Sequence, residues 1–130
     1  MARIKDLVVD CHHPASLARF WAAVLHGYAV APYDEAELNR LRQLGITSVE
    51  DDPTVLVEAE LGSLRLFFQQ VPESKVVKNR LHIDLEAADF DADLALITSL
   101  GGRVTAHYQD HVVLMDPEGN EFCIFHKRVP

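Results

Sequence analysis

Residues 80–102, "RLHIDLEAADFDADLALITSLGG", read as a strand running into a helix. Leu81, Ile83 and Leu85 alternate with Arg80, His82 and Asp84, the period of a strand with one apolar and one polar face. From about Asp89 to Leu100 the spacing becomes helical: Phe90, Leu94 and Ile97 share a face, and Gly101-Gly102 provides the stop. The first part of the chain repeats the pattern. A strand-like run from Ile4 to Cys11 precedes Pro14, which suits a first helical turn, and Leu17, Phe20, Trp21, Val24 and Leu25 form one apolar stripe ending at Gly27. Three short strand candidates follow each helix: Tyr28 to Ala31, Thr54 to Glu60 and Ser63 to Gln70, then Arg103 to His107, His111 to Met115 and Glu121 to His126. The unit is βαβββ, present twice.

One element breaks the repeat. "DEAELNRLRQLG", residues 34–45, carries Asp34 and Glu37 in capping-box spacing, Leu38, Leu41 and Leu44 on one face, and Gly45 as a stop. It predicts a helix added to the first module, serving either as packing over a sheet edge or as a lid over a pocket.

With 130 residues and 48% hydrophobic content, the chain is expected to form one domain, residues 1–130, with module one over about 1–71 and module two over about 78–130. Its formal net charge of −8 argues against a nucleic-acid partner, which rewards clustered Lys and Arg. Two cysteines are too few for a disulfide scaffold, and no run approaches the ~20 apolar residues of a membrane span. These features predict a soluble cytoplasmic protein whose partners are small molecules or protein, without nucleic acid or membrane.

The stretches "LVVDCHHPASLARFWAAVLHGY", "QQVPESKVVKNRLHIDL" and "DPEGNEFCIF" resemble the glyoxalase-like branch of the vicinal oxygen chelate superfamily, with glyoxalase I, extradiol dioxygenases and bleomycin-resistance proteins. That resemblance implies an α+β fold in which the two βαβββ modules form an open cup-shaped mixed sheet with helices on the convex side. It also implies a homodimer. The fold alone does not name an activity, because one scaffold hosts many chemistries.

Strand parity places Leu81, Ile83, Phe122 and Ile124 beneath helices, and the polar sets on the opposite face. The resemblance carries the four ligand places of metal-dependent relatives onto Asp6, Gln69, His82 and Cys123; these are the candidate metal set and, with Arg65, Phe67 and Arg80, the candidate ligand-binding residues. Asp, Gln, His and Cys mix hard oxygen with soft sulfur, unlike the His/Glu set of a Zn or Ni lyase or the two-His-one-carboxylate set of an iron oxygenase. No cofactor is therefore expected, with a divalent metal on those four residues as the alternative. Arg80 and Asp84 are expected to form a local ion pair, Cys123 to be a small buried filler, and Cys11 and Trp21 to belong to the core. Cys123 and His82 make a weak nucleophile and base, since Glu121 and Asp84 oppose a lowered thiol pKa. The function expected is binding of a small organic molecule in the cup, without classical glyoxalase I activity. The alternatives are a metal-dependent lyase or dioxygenase of the same superfamily and a non-catalytic interaction module.

Overall fold

Alternation at residues 6–11 and helical spacing from residue 14 produce the first two elements, β1 (Asp6–Cys11) and α1 (Pro14–Val24), in the computed structural model, which describes residues 1–127. The last three residues of the expected second module lie outside that range. The chain divides into two compact units, Met1–Ser74 and Lys75–Pro130.

In the first unit, β1 and α1 are followed by β2 (Ala29–Val30), α2 (Glu35–Gln43), a helical turn at Val49–Asp51, β3 (Thr54–Glu58) and β4 (Arg65–Gln70). The sheet order is β1-β4-β3-β2, with β1 parallel to β4 and the other pairs antiparallel. Helix α1 packs across β2, β3 and β4, burying Leu17, Ala18, Phe20 and Trp21 against Val55, Val57, Leu66 and Phe68. Cys11 is also in this layer. At roughly 25 cal/mol per Å² of apolar surface removed from water, such close-packed residues supply most of the unit's driving force.

The second unit repeats the first without the insertion: β5 (Ile83–Glu86), α3 (Phe90–Ser99), β6 (Arg103–His107), β7 (His111–Met115) and β8 (Glu121–Phe125), in the order β5-β8-β7-β6 with β5 parallel to β8. The architecture is α+β, two four-stranded mixed sheets with three helices, as the repeat pattern predicts. Phe122 and Ile124 are 1% and 2% exposed, on the side of β8 that α3 covers through Ile97. Gly102 follows that helix where a Cβ would stand 2.5 Å from the Ile97 Cγ2, so only glycine fits. Leu81 departs from the expectation. It precedes β5, has no helix over it and is 82% exposed, because alternation extrapolated past a strand's end loses its meaning.

The turn Asp116–Asn120 is organised by the fully buried Asp116 carboxylate, which accepts from the backbone N–H of Glu118 and Asn120 and from the Asn120 side chain. Among the described residues, no helix is long and apolar enough to cross a membrane.

Candidate functional site

The inserted segment builds one wall of a cavity. Asp34 caps α2 by accepting from the Glu37 N–H, the spacing expected of a capping box, and the next turn presents Glu37 and Arg40. Asp52, wholly buried, ties this helix to the sheet: it accepts from the Tyr33 hydroxyl at 2.7 Å, Arg40 Nη2 at 2.8 Å and the Thr54 N–H at 3.0 Å. Burial, reinforced by the bond to Asp52, holds the Tyr33 hydroxyl far above the ordinary tyrosine range, so it stays a neutral donor. The same carboxylate raises the Arg40 pKa further, so the guanidinium stays charged.

The cavity, open to solvent on one side, has a volume of about 640 Å³. Leu56 and Phe67 stand side by side across the β3–β4 register and, with Ala31, make an apolar floor on the face opposite α1. Arg65 sits at its edge. Its Nε and Nη2 donate to the two Asp6 oxygens at 2.9 and 3.3 Å, and the guanidinium lies 5.4 Å from the centre of the Phe67 ring. Helix α2 and its cap thus contribute Asp34, Glu37 and Arg40 to the lining of this pocket.

In the second unit, Asp84 and Cys123 are direct partners in the β5–β8 ladder. His82 stands two residues earlier, and its Nδ1 lies 3.2 Å from Asp84 Oδ1. One donor atom from each of His82, Asp84 and Cys123 lies within 4.8 Å of the others. The ion pair expected between Arg80 and Asp84 is not found: the His82 imidazole stands beside the carboxylate, while Arg80 is exposed. Cys123 is half-buried rather than packed into the core layer. Burial, then the negative charge of Asp84 and a hydrogen bond with it, push the thiol pKa up, with Lys78 opposing weakly. That direction disfavours a thiolate nucleophile. Further along this face, His111 stacks between Tyr108 and Phe125 at 4.8 and 4.6 Å between ring centres, with Asp110 2.6 Å from its Nδ1.

The two units can be placed in common register. Cys11 and Ala87 each lie three residues before their helices and are each 4% exposed. Matching them sets Asp6 beside His82 in rank, Val8 beside Asp84, and Phe67, the partner of Val8, beside Cys123. Gln69, the partner of Asp10, then corresponds to Phe125 and is exposed. It also stands four residues along β4 from the partner of Asp6, about 13 Å at ~3.3 Å per residue. The structure therefore joins Asp6, Arg65 and Phe67 into one cluster and His82, Asp84 and Cys123 into another, and leaves Gln69 and Arg80 outside both.

Tyr33, Arg40 and Asp52 were not distinguishable by periodicity. Tyr33 lies in a loop and Asp52 between a helical turn and a strand, so only the buried carboxylate reveals them.

The family model for a glyoxalase-like domain matches residues 6–125. No curated protein matches the chain. Among solved structures, a glyoxalase/bleomycin resistance protein/dioxygenase family enzyme from Burkholderia phytofirmans PsJN superposes with a TM-score of 0.67 at 14% identity, covering 98% of this chain and 100% of that one. A FosX fosfomycin resistance protein from Listeria monocytogenes, complexed with Mn(II) and a dihydroxypropylphosphonic acid, gives 0.66 at 8% identity over 99% and 93%. A bleomycin-binding protein complexed with bleomycin gives 0.54 at 14% over 98% and 100%. At such identities the likeness is one of fold.

A metal of the kind held in the FosX complex is poorly served by the four places carried over from metal-dependent relatives. In the first unit Asp6 is clamped by Arg65, the register position matching Cys123 is the hydrocarbon Phe67, and Gln69 lies far along its strand. The residues present do not fit a four-ligand centre on those places.

Proposed function

The chain belongs to the glyoxalase-like domain family, and from that membership we propose that it binds a small organic molecule in the cavity of its first unit, without the metal-dependent isomerisation of a hemithioacetal. The observation that carries this reading is the cavity itself. Its volume of about 640 Å³ lies inside the ~300–1,000 Å³ range of small-molecule sites. An apolar floor with a few fixed polar groups at the edge is the usual construction of such a site. Phe67 and Leu56 take the apolar or aromatic body of the ligand. Arg65, oriented by Asp6 through Nε and Nη2, offers its Nη1 edge to a carboxylate or other acceptor, and the neutral Tyr33 hydroxyl and Arg40 fix the far wall.

Isomerisation of a hemithioacetal needs a metal to polarise two neighbouring oxygens and a carboxylate to move a proton. The four carried-over places do not supply that set.

The test is calorimetric titration with a panel of aromatic fragments bearing carboxylate, hydroxyl or amine groups, repeated on Phe67→Ala and Arg65→Ala. Saturable binding that both substitutions weaken supports the reading. Binding unaffected by either, or turnover of a glutathione hemithioacetal by the purified chain, refutes it.

A further inference from the structure

We propose that the ligand of the first-unit cavity is an organic cation, an apolar or aromatic body carrying a basic amine, and that Glu58 receives its ammonium group. This rests on the reading of that cavity as a small-molecule site and names the class of molecule the site selects.

The charges along the wall decide the sign. The carboxylates of Asp34, Glu37, Asp52 and Glu58 line the cavity with two guanidinium groups, those of Arg40 and Arg65. Both cations are already satisfied. Arg40 donates to Asp52 at 2.8 Å and to Glu37 at 2.9 Å, and Arg65 donates to the two oxygens of Asp6. An incoming organic anion would meet uncompensated charge of its own sign, and that repulsion adds to the loss of its hydration. Arg65 still directs Nη1 toward an acceptor. With its charge balanced by Asp6, a neutral carbonyl or hydroxyl is acceptor enough.

Glu58 is the carboxylate without a task inside the protein. Asp52 holds Tyr33, Arg40 and the Thr54 N–H, Asp34 caps α2, and Glu37 holds Arg40. No donor among the described residues pairs with the Glu58 side chain. It ends β3, one residue past the Val57–Leu66 pair, so alternation turns it to the floor side with Leu56 and Phe67. Half-buried there, it is partly withdrawn from water, which strengthens a charge-assisted bond to an ammonium beyond that of a surface pair. Leu56 stands two residues away on the same face, about 7 Å at ~3.4 Å per residue. A ring joined to its amine by two carbons therefore reaches the floor and Glu58 together.

The experiment titrates the full chain, by calorimetry, with three probes built on one aromatic body: naphthylethylamine, naphthylethanol and naphthylpropionate. The amine should bind at least about tenfold more tightly than the alcohol, and the propionate more weakly than either. Glu58→Gln should bring the amine to within about twofold of the alcohol while leaving the alcohol unchanged. Glu73→Gln removes an exposed carboxylate of the same unit outside the cavity lining and should leave the preference intact. Propionate binding as tightly as the amine in the unsubstituted chain overturns the proposal without reliance on any variant. An undiminished advantage of the amine in Glu58→Gln, with circular dichroism unaltered, overturns it too. So does an equal loss in Glu73→Gln, which would assign the preference to the field of a chain with net charge −8. If Phe67→Ala still weakens binding in those cases, the cavity stands and only the cation assignment fails. Binding of none of the three probes, or binding indifferent to Phe67→Ala, refutes the cavity reading and the cation assignment with it.

Discussion

Replacing Asp52 by Ala removes the carboxylate that fastens α2 to its sheet. Three bonds are lost, from the Tyr33 hydroxyl, Arg40 Nη2 and the Thr54 N–H. Breaking a buried ion pair by deleting one partner costs ~3–5 kcal/mol when the other charge is stranded away from water. Arg40, with a side chain 35% exposed, can turn outward and recover solvent, and it also keeps Glu37. The expected cost is therefore near the bottom of that range, about 3 kcal/mol, made up chiefly of the unpaired Thr54 N–H and Tyr33 hydroxyl and the small void. Urea denaturation should show a lower midpoint at an unchanged slope, since the surface exposed on unfolding is nearly the same. Hydrogen exchange should show the largest loss of protection in α2, and ligand affinity should fall because Tyr33 and Arg40 no longer hold the cavity wall. A change below about 1 kcal/mol would refute the reasoning, by showing that apolar contacts of Leu41 alone secure the helix.

Asp116→Ala should cost about 2–3 kcal/mol in chemical denaturation, because two backbone N–H groups and the Asn120 amide lose their buried acceptor. Glu121 carries a pH signature: burial raises its pKa, but the Asn79 N–H and Lys75 outweigh this and hold it at about 2, below its ordinary 4.5. A carboxylate depressed in the folded state contributes stability above pH 4.5 that is lost as pH falls toward 2, so the denaturation midpoint should drop across that window and Glu121→Gln should flatten the drop. Phe67→Ala should weaken binding of an aromatic fragment by about 2 kcal/mol, roughly thirtyfold in calorimetry. Both sheets have open edges, β1 and β2 in one and β5 and β6 in the other, and we propose that the chain pairs as a homodimer through them; light scattering should give the mass of two chains.

Much of the architecture was legible because the two periods are physical. Side chains of Phe122, Ile124, Leu66 and Phe68 point to the helix side for the same reason that Cys123 and Phe67 point away, and the helix stripe of Leu17, Phe20 and Trp21 can be buried only as a group. The capping spacing of Asp34 and Glu37 likewise announced α2. Pairing between strands distant in the chain was less accessible. Alternation says which face Gln69 takes but not which β1 residue it opposes, and only the ladder shows that Phe67 holds the rank of Cys123. Charge pairing failed for a related reason: Arg80 and Asp84 share parity with His82, yet Arg80 lies three residues before β5 begins, and the nearer imidazole takes the carboxylate.

Chemical-shift mapping on nitrogen-labelled protein, titrated with the tightest-binding fragment of the aromatic panel, asks where an organic molecule settles. Binding in the first-unit cavity predicts saturating shifts concentrated at the backbone of Ala31, Tyr33, Leu56, Arg65 and Phe67, lost in Phe67→Ala. Shifts confined to residues of the second unit, or the absence of saturable shifts for every fragment of the panel, would contradict it.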